Sequence, residues 1–210
     1  MMRINRQIEF IKEIDKLKDV YRQSYLLSQA RNENTAEHCW HIAMMAMLLV
    51  EYANSPVNLL HVIEMLLVHD IVEIDAGDTF CYDEEGNADK EQREQEAANR
   101  LFNILPLDQA NRLMQLWQEY EVQETAESKF AKAIDRFMPL MHNINTSGRS
   151  WKEHGITKSQ VIQRNKRIAD GSEVLWRYTI HHILKATEEG VLDDDVEQEN
   201  PADPKGSAAD

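Results

Sequence analysis

The feature of this sequence that most restricts its fold is an apolar segment that runs directly into a cluster of acidic residues. Residues 62–68 (VIEMLLV) are almost entirely apolar and have the period of a buried helix, and residues 69–78 (HDIVEIDAGD) follow without a break. Carboxylates are costly to bury unless they are paired or bind a cation. The segment therefore predicts a buried helix whose end carries a charged site.

The side chains of the acidic cluster are spaced so that several of them share one helix face. On a continuous helix, Glu73 lies one turn beyond both His69 and Asp70. Gly77 can end such a helix, and Asp78 would then be free to fold back. One imidazole and several carboxylates at a helix end indicate a divalent-metal site.

The rest of the chain also has helical periodicity, and no segment shows a convincing alternation of apolar and polar residues. One helix is predicted to begin at Asn34, because Asn34 and Glu37 form the pattern of a capping box. Pro139 lies inside a predicted helix and is expected to kink it. The predicted helices cover approximately residues 8–20, 34–53, 58–76, 88–105, 107–120, 126–145, 158–169 and 173–189, with a loop at 79–87. The expected fold class is all-α.

Charge and composition divide the chain into one domain, residues 1–189, and an acidic tail, residues 190–210. The chain has 210 residues, which is enough for one well-buried core, and a net charge of −14. Residues 188–210 alone hold nine acidic residues and one lysine, so more than half of the net charge lies there. We expect the tail to be disordered. We expect no nucleic-acid binding, which requires a basic surface.

Composition also predicts where the protein resides. No apolar run reaches the ~18–20 residues that cross a bilayer, and the first residues (MMRINR) lack the apolar core of a signal peptide. We therefore expect a cytoplasmic protein without a membrane partner. Cys39 and Cys81 fit no metal or redox spacing and are predicted to be reduced, buried or half-buried thiols.

Two further segments carry residues of the metal-binding types. The helix that begins with the capping box offers His38 and His41, and Asp135 lies in an otherwise apolar stripe. Taken alone, His38 is more often a satisfied core or surface histidine. Asp135 is equally explained by a buried ion pair with Arg136 or Lys132.

The order of these residues resembles the HD-domain metal-dependent phosphohydrolases. Glu37 and His38, then residues 69–78, then Asp135 are similar to the branch that includes the bacterial and eukaryotic 5'-deoxyribonucleotidases. The string H-D-x-x-E-x-x-x-G-D is much more specific than H-D alone, and the resemblance extends over about residues 17–187. It implies a single HD-domain helical bundle. It also implies one divalent ion (Mn²⁺, Co²⁺, Fe²⁺, Ni²⁺, Zn²⁺ or Mg²⁺) with the ligands His38, His69, Asp70 and Asp135.

The same resemblance implies roles for three further residues. Glu73 and Asp78 would position and deprotonate the attacking water, the alternative being that they only cap and neutralise local charge. Arg22 would hold the 5'-phosphate, for which a guanidinium is well suited. The family often has a tryptophan shortly after this arginine, whereas this chain has QSY at residues 23–25. Arg31 is a second candidate for the phosphate contact.

The resemblance implies a metal-dependent phosphohydrolase that removes phosphate from small nucleotides, above all (deoxy)nucleoside 5'-monophosphates. Two alternatives stay open: a phosphodiesterase acting on another nucleotide, which usually has further His or Asp ligands for a second metal, and a non-catalytic HD module. Family members commonly dimerise, so a homodimer is expected, with the segments of Trp117, Trp151 and Trp176 as apolar interface. His41 and His142 are interpreted as core or supporting residues rather than ligands.

Overall fold

The computed structural model describes residues 2–195, and these fold mainly into helices. The α-helices are α1 Arg3–Ile14, α2 Thr35–Leu49, α3 Leu59–Val68, α4 Glu73–Ala76, α5 Glu84–Asn87, α6 Lys90–Phe102, α7 Leu107–Val122, α8 Ala126–Asn145, α9 Arg149–Glu153, α10 Lys158–Asn165, α11 Ile168–Gly171 and α12 Glu173–Glu188. Short 3₁₀ segments cover Asp15–Asp19, Val50–Tyr52 and His69–Val72. The expected all-α class is confirmed. Within residues 2–195, no helix is long and apolar enough to cross a membrane.

One hairpin precedes α2, and the sequence did not predict it. Strand β1 Tyr21–Tyr25 pairs antiparallel with strand β2 Asn32–Asn34, and Tyr21 lies opposite Asn34. The absence of visible alternation was therefore misleading here. Strands of five and three residues, with a register shift between them, are too short to show a period of two.

The start of α2 follows the sequence pattern directly. The Asn34 side chain accepts a hydrogen bond from the Glu37 backbone N–H at 2.9 Å, and the Glu37 carboxylate accepts one from the Asn34 N–H at 3.2 Å. The predicted capping box is thereby confirmed. It fixes the first turn of the helix that carries His38.

The continuous helix expected over 58–76 is wrong. Helix α3 ends at Val68, a 3₁₀ segment follows over His69–Val72, and α4 resumes at Glu73. In the tighter segment, the His69 ring bonds back to the Leu66 carbonyl oxygen, with Nδ1 at 3.0 Å from it. Gly77, with a φ of 75°, ends α4 as expected.

Helix α8 lies at the centre of the fold and packs against α2, α3, α7, α11 and α12. Phe130 and Ile134 on α8 are fully buried. Helix α11 passes so close that a Cβ at Gly171 would lie 2.2 Å from the Lys129 carbonyl oxygen, so this position requires glycine. Asp135 follows Ile134 directly, and the packed helices hold it in place.

A smaller apolar cluster packs the segment after α12 against helices from the second half of the chain. It contains Leu140, Trp151, Ile156, Val161, Ile183, Ala186 and Leu192. Leu192 is 2% exposed, and the Asp193 carbonyl oxygen accepts a hydrogen bond from the Lys158 N–H at 2.8 Å. The folded unit therefore extends past the predicted boundary at 189 to at least Asp195. Residues 196–210 of the predicted tail lie outside the described part of the chain.

The two cysteines lie as predicted, whereas two of the tryptophans are buried. Cys39 is buried and Cys81 is half-buried, and both are free thiols, as predicted. Trp117 and Trp151 are 5% and 3% exposed and belong to the interior. Their indole rings are covered by this chain, whereas the ring of Trp176, the third tryptophan of the expected interface, is half-buried.

Candidate metal centre

The four residues expected to bind a metal converge, although they come from three separate elements. His38 on α2 brings Nε2 to 3.1 Å from Asp135 Oδ1 on α8. His69 Nε2 lies 3.0 Å from Asp70 Oδ1 and 3.8 Å from Asp135 Oδ1. His38 Nε2 is also 3.8 Å from Asp70 Oδ2. His38, His69 and Asp135 thus form one group of potential ligands, and Asp70 lies beside it in a second group that shares His69.

The donor atoms of this cluster fit a divalent ion. His69 Nε2 is buried and makes no hydrogen bond, while Nδ1 faces the Leu66 carbonyl oxygen. A carbonyl oxygen can only accept a hydrogen bond, so the neutral His69 ring carries its proton on Nδ1 and its lone pair on Nε2. This lone pair faces the Asp70 and Asp135 carboxylates and is available to a metal ion. Mixed imidazole and carboxylate ligands suit Mn²⁺, Fe²⁺, Co²⁺, Ni²⁺ or Zn²⁺.

Two residues that sequence reasoning missed lie against the expected metal ligands. Glu33 on β2 is 1% exposed, and its Oε2 lies 3.5 Å from His38 Nδ1. The Tyr120 hydroxyl on α7 donates to Asp135 Oδ2 at 2.7 Å. A donor to a metal-binding carboxylate fixes the orientation of that ligand, whereas Glu33 lies beside His38 without hydrogen-bond geometry. Neither residue stands in a recognisable motif, because both reach the site only through tertiary packing.

Arg22 on β1 lies inside the same cluster. Its Nη1 donates to Asp70 Oδ2 at 2.9 Å and lies 3.7 Å from Asp78 Oδ1 and 4.0 Å from Glu73 Oε1. The Thr35 hydroxyl donates to Glu73 Oε2 at 3.0 Å. Although the helix breaks before Glu73, the chain still brings Glu73 and Asp78 to one side of the His69–Asp70 pair.

The carboxylates in this site have different proton affinities. Burial raises the pKa of Glu73 well above that of an ordinary glutamate, and the Asp70 charge raises it further. Burial also raises the pKa of Asp78. Burial alone would do the same to Asp70, but His69 and Arg22 outweigh it and hold the Asp70 pKa below its usual value. The two groups with raised pKa are the stronger proton acceptors.

For His69, burial and the neighbouring carboxylates shift the pKa in opposite directions. Burial lowers its pKa, but Asp70 and Asp135 more than compensate and raise the pKa well above that of an ordinary histidine. A proton and a divalent ion therefore compete for the same imidazole nitrogen. Metal binding at this site must release a proton.

A small polar cavity of about 100 Å³ opens beside the cluster. Its lining includes the carboxylates of Glu73 and Asp78 together with Lys90, Lys132 and Arg164. These three cations also line an adjoining cavity of about 530 Å³. Glu94 and Glu121 line both cavities too and pair with Lys90 at 3.4 Å and with Lys132 at 3.6 Å, so these cations lie among carboxylates.

The remaining sequence candidates lie elsewhere. Arg31 pairs with Glu37 at 2.6 Å in an exposed position and does not line the polar cavity. His41 and His142 lie beside each other, with ring centroids 5.7 Å apart, and neither belongs to the four-residue cluster. Asp135 pairs with His38 rather than with its neighbour Arg136, whose guanidinium donates to the Arg164 carbonyl oxygen.

Comparisons with known proteins agree with this geometry. The family model described as "HD domain" matches residues 14–176. A solved structure described as a predicted metal-dependent phosphohydrolase from Magnetospirillum magnetotacticum MS-1 is 52% identical, with a TM-score of 0.87, and the match covers 90% of this chain and 95% of that one. A conserved hypothetical protein from Pyrococcus furiosus, 19% identical with a TM-score of 0.58, shares the fold over 86% of this chain and 99% of its own.

Curated relatives carry a more specific name. Human 5'-deoxynucleotidase HDDC2 is 32% identical over 130 residues, which is 61% of this chain and 62% of that protein. The 5'-deoxynucleotidase YBR242W of Saccharomyces cerevisiae is 28% identical over 189 residues, covering 79% of this chain and 78% of its own length. The chain thus spans about three fifths of the human relative. With the family model matched over most of its length, this chain belongs to the HD-domain family.

Proposed function

We propose that the protein is a metal-dependent phosphohydrolase that removes phosphate from small nucleotides, above all (deoxy)nucleoside 5'-monophosphates. One observation carries the proposal: His38, His69 and Asp135 form one group of potential ligands with Asp70 beside it, and Arg22 lies within 4.0 Å of Asp70, Glu73 and Asp78. Relatives named 5'-deoxynucleotidase and a neighbour described as a metal-dependent phosphohydrolase support it.

His38, His69, Asp70 and Asp135 would hold one divalent ion. Bound there, the ion would polarise a phosphoryl oxygen and acidify a water molecule. The ligands offer no reason to select a single metal among Mn²⁺, Co²⁺, Fe²⁺, Ni²⁺ and Zn²⁺. Four protein ligands leave space for substrate and water when the ion is five- or six-coordinate.

Glu73 and Asp78 would supply the proton acceptors. Water oxygen attacks phosphorus, the bond from phosphorus to the 5'-oxygen breaks, and the water proton passes to a carboxylate. The raised pKa of Glu73 makes it the better acceptor, and the Thr35 hydroxyl fixes its orientation through Oε2. The departing 5'-oxygen takes up one proton, and the carboxylate gives its proton back either to that oxygen or to solvent. The nucleoside and inorganic phosphate then leave, and the carboxylate is ionised again.

Arg22 would bind the phosphate. In the structure it faces Asp70, Glu73 and Asp78 at 2.9–4.0 Å. A phosphate anion would have to share this guanidinium with the carboxylates, and its other nitrogens allow a bidentate contact. Lys90 and Lys132 line the same cavity and add positive charge for the substrate.

The direct test is a screen of the purified full chain with each divalent ion against a panel of nucleotides, with phosphate release as the readout. The proposal expects release from nucleoside 5'-monophosphates with at least one transition metal. Hydrolysis of cyclic nucleotides alone would instead establish the phosphodiesterase alternative. Binding of metal and nucleotide without any product would establish the non-catalytic alternative.

We also propose that the protein works as a cytoplasmic homodimer. Exposed apolar side chains form a stripe on α2, with Trp40 63%, Met44 38% and Leu48 69% exposed. This stripe replaces the interface expected at the buried tryptophans. Light scattering should give twice the chain mass for the wild type and a single chain mass for Trp40→Glu. A monomeric wild type across micromolar concentrations would rule the dimer out.

A further inference from the structure

A second cluster of potential ligands lies next to His38. It consists of Glu33 on β2, His41 on α2 and His142 on α8, and one ligand atom from each lies within 4.8 Å of the others. Glu33 and His142 are 1% and 4% exposed. The two imidazole rings are inclined at 44° to each other. These three groups come from three elements, so only the tertiary fold assembles them.

Two atoms of this cluster are buried without a hydrogen bond. They are His142 Nδ1 and Glu33 Oε2. Leaving such polar atoms unsatisfied costs free energy, commonly about 1–3 kcal/mol for each group. His38 Nδ1 lies 3.5 Å from Glu33 Oε2, without hydrogen-bond geometry. A cation between the carboxylate and the two imidazoles would satisfy both atoms at once.

We propose that Glu33, His41 and His142 bind a second divalent ion, and that Zn²⁺ is the ion that fits best. Two imidazoles and one carboxylate are a common zinc ligand set, with one position left for another donor. Burial lowers the pKa of His142, so its imidazole is present in the neutral form that binds metals. The proposal does not depend on the phosphohydrolase activity.

The second site has its own route to solvent. His41 and His142 line a cavity of about 520 Å³ whose other walls are largely apolar, among them Met45, Met138 and Leu175. No residue of this cavity lines the polar cavity beside Asp70 and Glu73. An ion at the second site would therefore not meet a substrate bound at Arg22. It would instead link β2, α2 and α8 directly behind the first cluster.

The test counts zinc atoms in the full-length protein. Chains stripped with chelator are loaded with Zn²⁺ alone, desalted and analysed for zinc per chain. The wild type should hold two ions, and His41→Gln and His142→Gln should each hold one. His69→Ala should also hold one, because it disables only the first cluster. His182→Gln is the matched control, since His182 is a half-buried α12 histidine that belongs to neither cluster, and it should keep two.

Several outcomes would overturn the second site. They are a wild type that holds only one ion, a His69→Ala chain that holds none, and a loss of the second ion in His182→Gln. Co²⁺ gives an independent readout, because its visible spectrum reports the ligands. The cobalt band that remains in His69→Ala should disappear when His41→Gln is added. If it persists in that double variant, the assignment of ligands is wrong.

Discussion

We expect the ionised Glu73 carboxylate to lower the free energy of unfolding and to accept the proton of the attacking water. The Glu73→Gln substitution separates these two effects. Glutamine keeps the shape of the side chain, and its amide oxygen can still accept from the Thr35 hydroxyl, which lies 3.0 Å from Glu73 Oε2. The metal ligands are untouched. We therefore expect the variant to bind the metal as the wild type does.

Turnover should fall by about 10²–10⁴-fold, the usual contribution of a general base. The reason is that the amide cannot take the proton from the attacking water. Phosphate release at saturating metal and substrate measures this loss, and elemental analysis measures the metal in the same samples.

The stability change has the opposite sign. Glu73 is 4% exposed, and its pKa is raised well above 4.5, so the folded state holds the proton more tightly than the unfolded chain. Ionisation then destabilises the fold as the pH rises past the unfolded pKa, and the full cost applies above the folded pKa. At pH 7 in chelator, Glu73→Gln should raise the free energy of unfolding by about 1.4 kcal/mol per pKa unit. The Tm should rise by roughly 2–4 °C for each kcal/mol.

Glu94→Gln is the matched control. Glu94 is 8% exposed, lines the same cavity, and has a pKa raised by burial, but it pairs with Lys90 at 3.4 Å. Its replacement should leave most of the turnover intact. The reasoning about Glu73 fails if Glu73→Gln loses the metal, since Glu73 is then a ligand. It fails equally if the variant keeps full activity, or if its Tm falls while the control's does not.

Three other perturbations test the first cluster. His69→Ala should lose the ion of the first cluster and the activity, because it removes a ligand nitrogen; elemental analysis that finds as much metal in this variant as in the wild type would contradict the assignment. Arg22→Gln should raise KM for the nucleotide, and in chelator it should lower the free energy of unfolding by about 3–5 kcal/mol, because one buried and two half-buried carboxylates lose their counter-charge. An unchanged urea midpoint would refute that role. As the pH drops below the raised pKa of His69, the metal affinity should fall about tenfold per pH unit for each proton that the metal displaces. Titration calorimetry in two buffers of different ionisation enthalpy should detect the released proton.

Local patterns in the sequence carried much of this structure. The capping box of Asn34 and Glu37 formed as predicted, because both partners are three residues apart and need no distant contact. The motif order also anticipated that His38, His69 and Asp135 would meet. In both cases the information lay in residue type and spacing.

What the sequence did not reveal depends on packing between distant segments. Glu33 and Tyr120 face the site only because β2 and α7 lie against α2 and α8. The change from α3 to a 3₁₀ segment at His69 has no breaker residue to announce it, since no glycine or proline stands there. Trp117 and Trp151 were assigned to a surface, although large aromatic rings gain more free energy in a core.

The hairpin before α2 makes strand register a determinant of the chemistry. Arg22 on β1 and Glu33 on β2 both face the clusters, and the Asn32 amide donates to the Arg22 carbonyl oxygen at 2.8 Å. Because neighbouring side chains in a strand point to opposite faces, a slip of one residue would turn either group away. Loop grafts or insertions in the connecting turn, residues 26–31, should therefore be neutral for the site. Deletion of a single residue within Tyr21–Tyr25 should abolish the activity of the site, although every metal ligand of the first cluster stays in place.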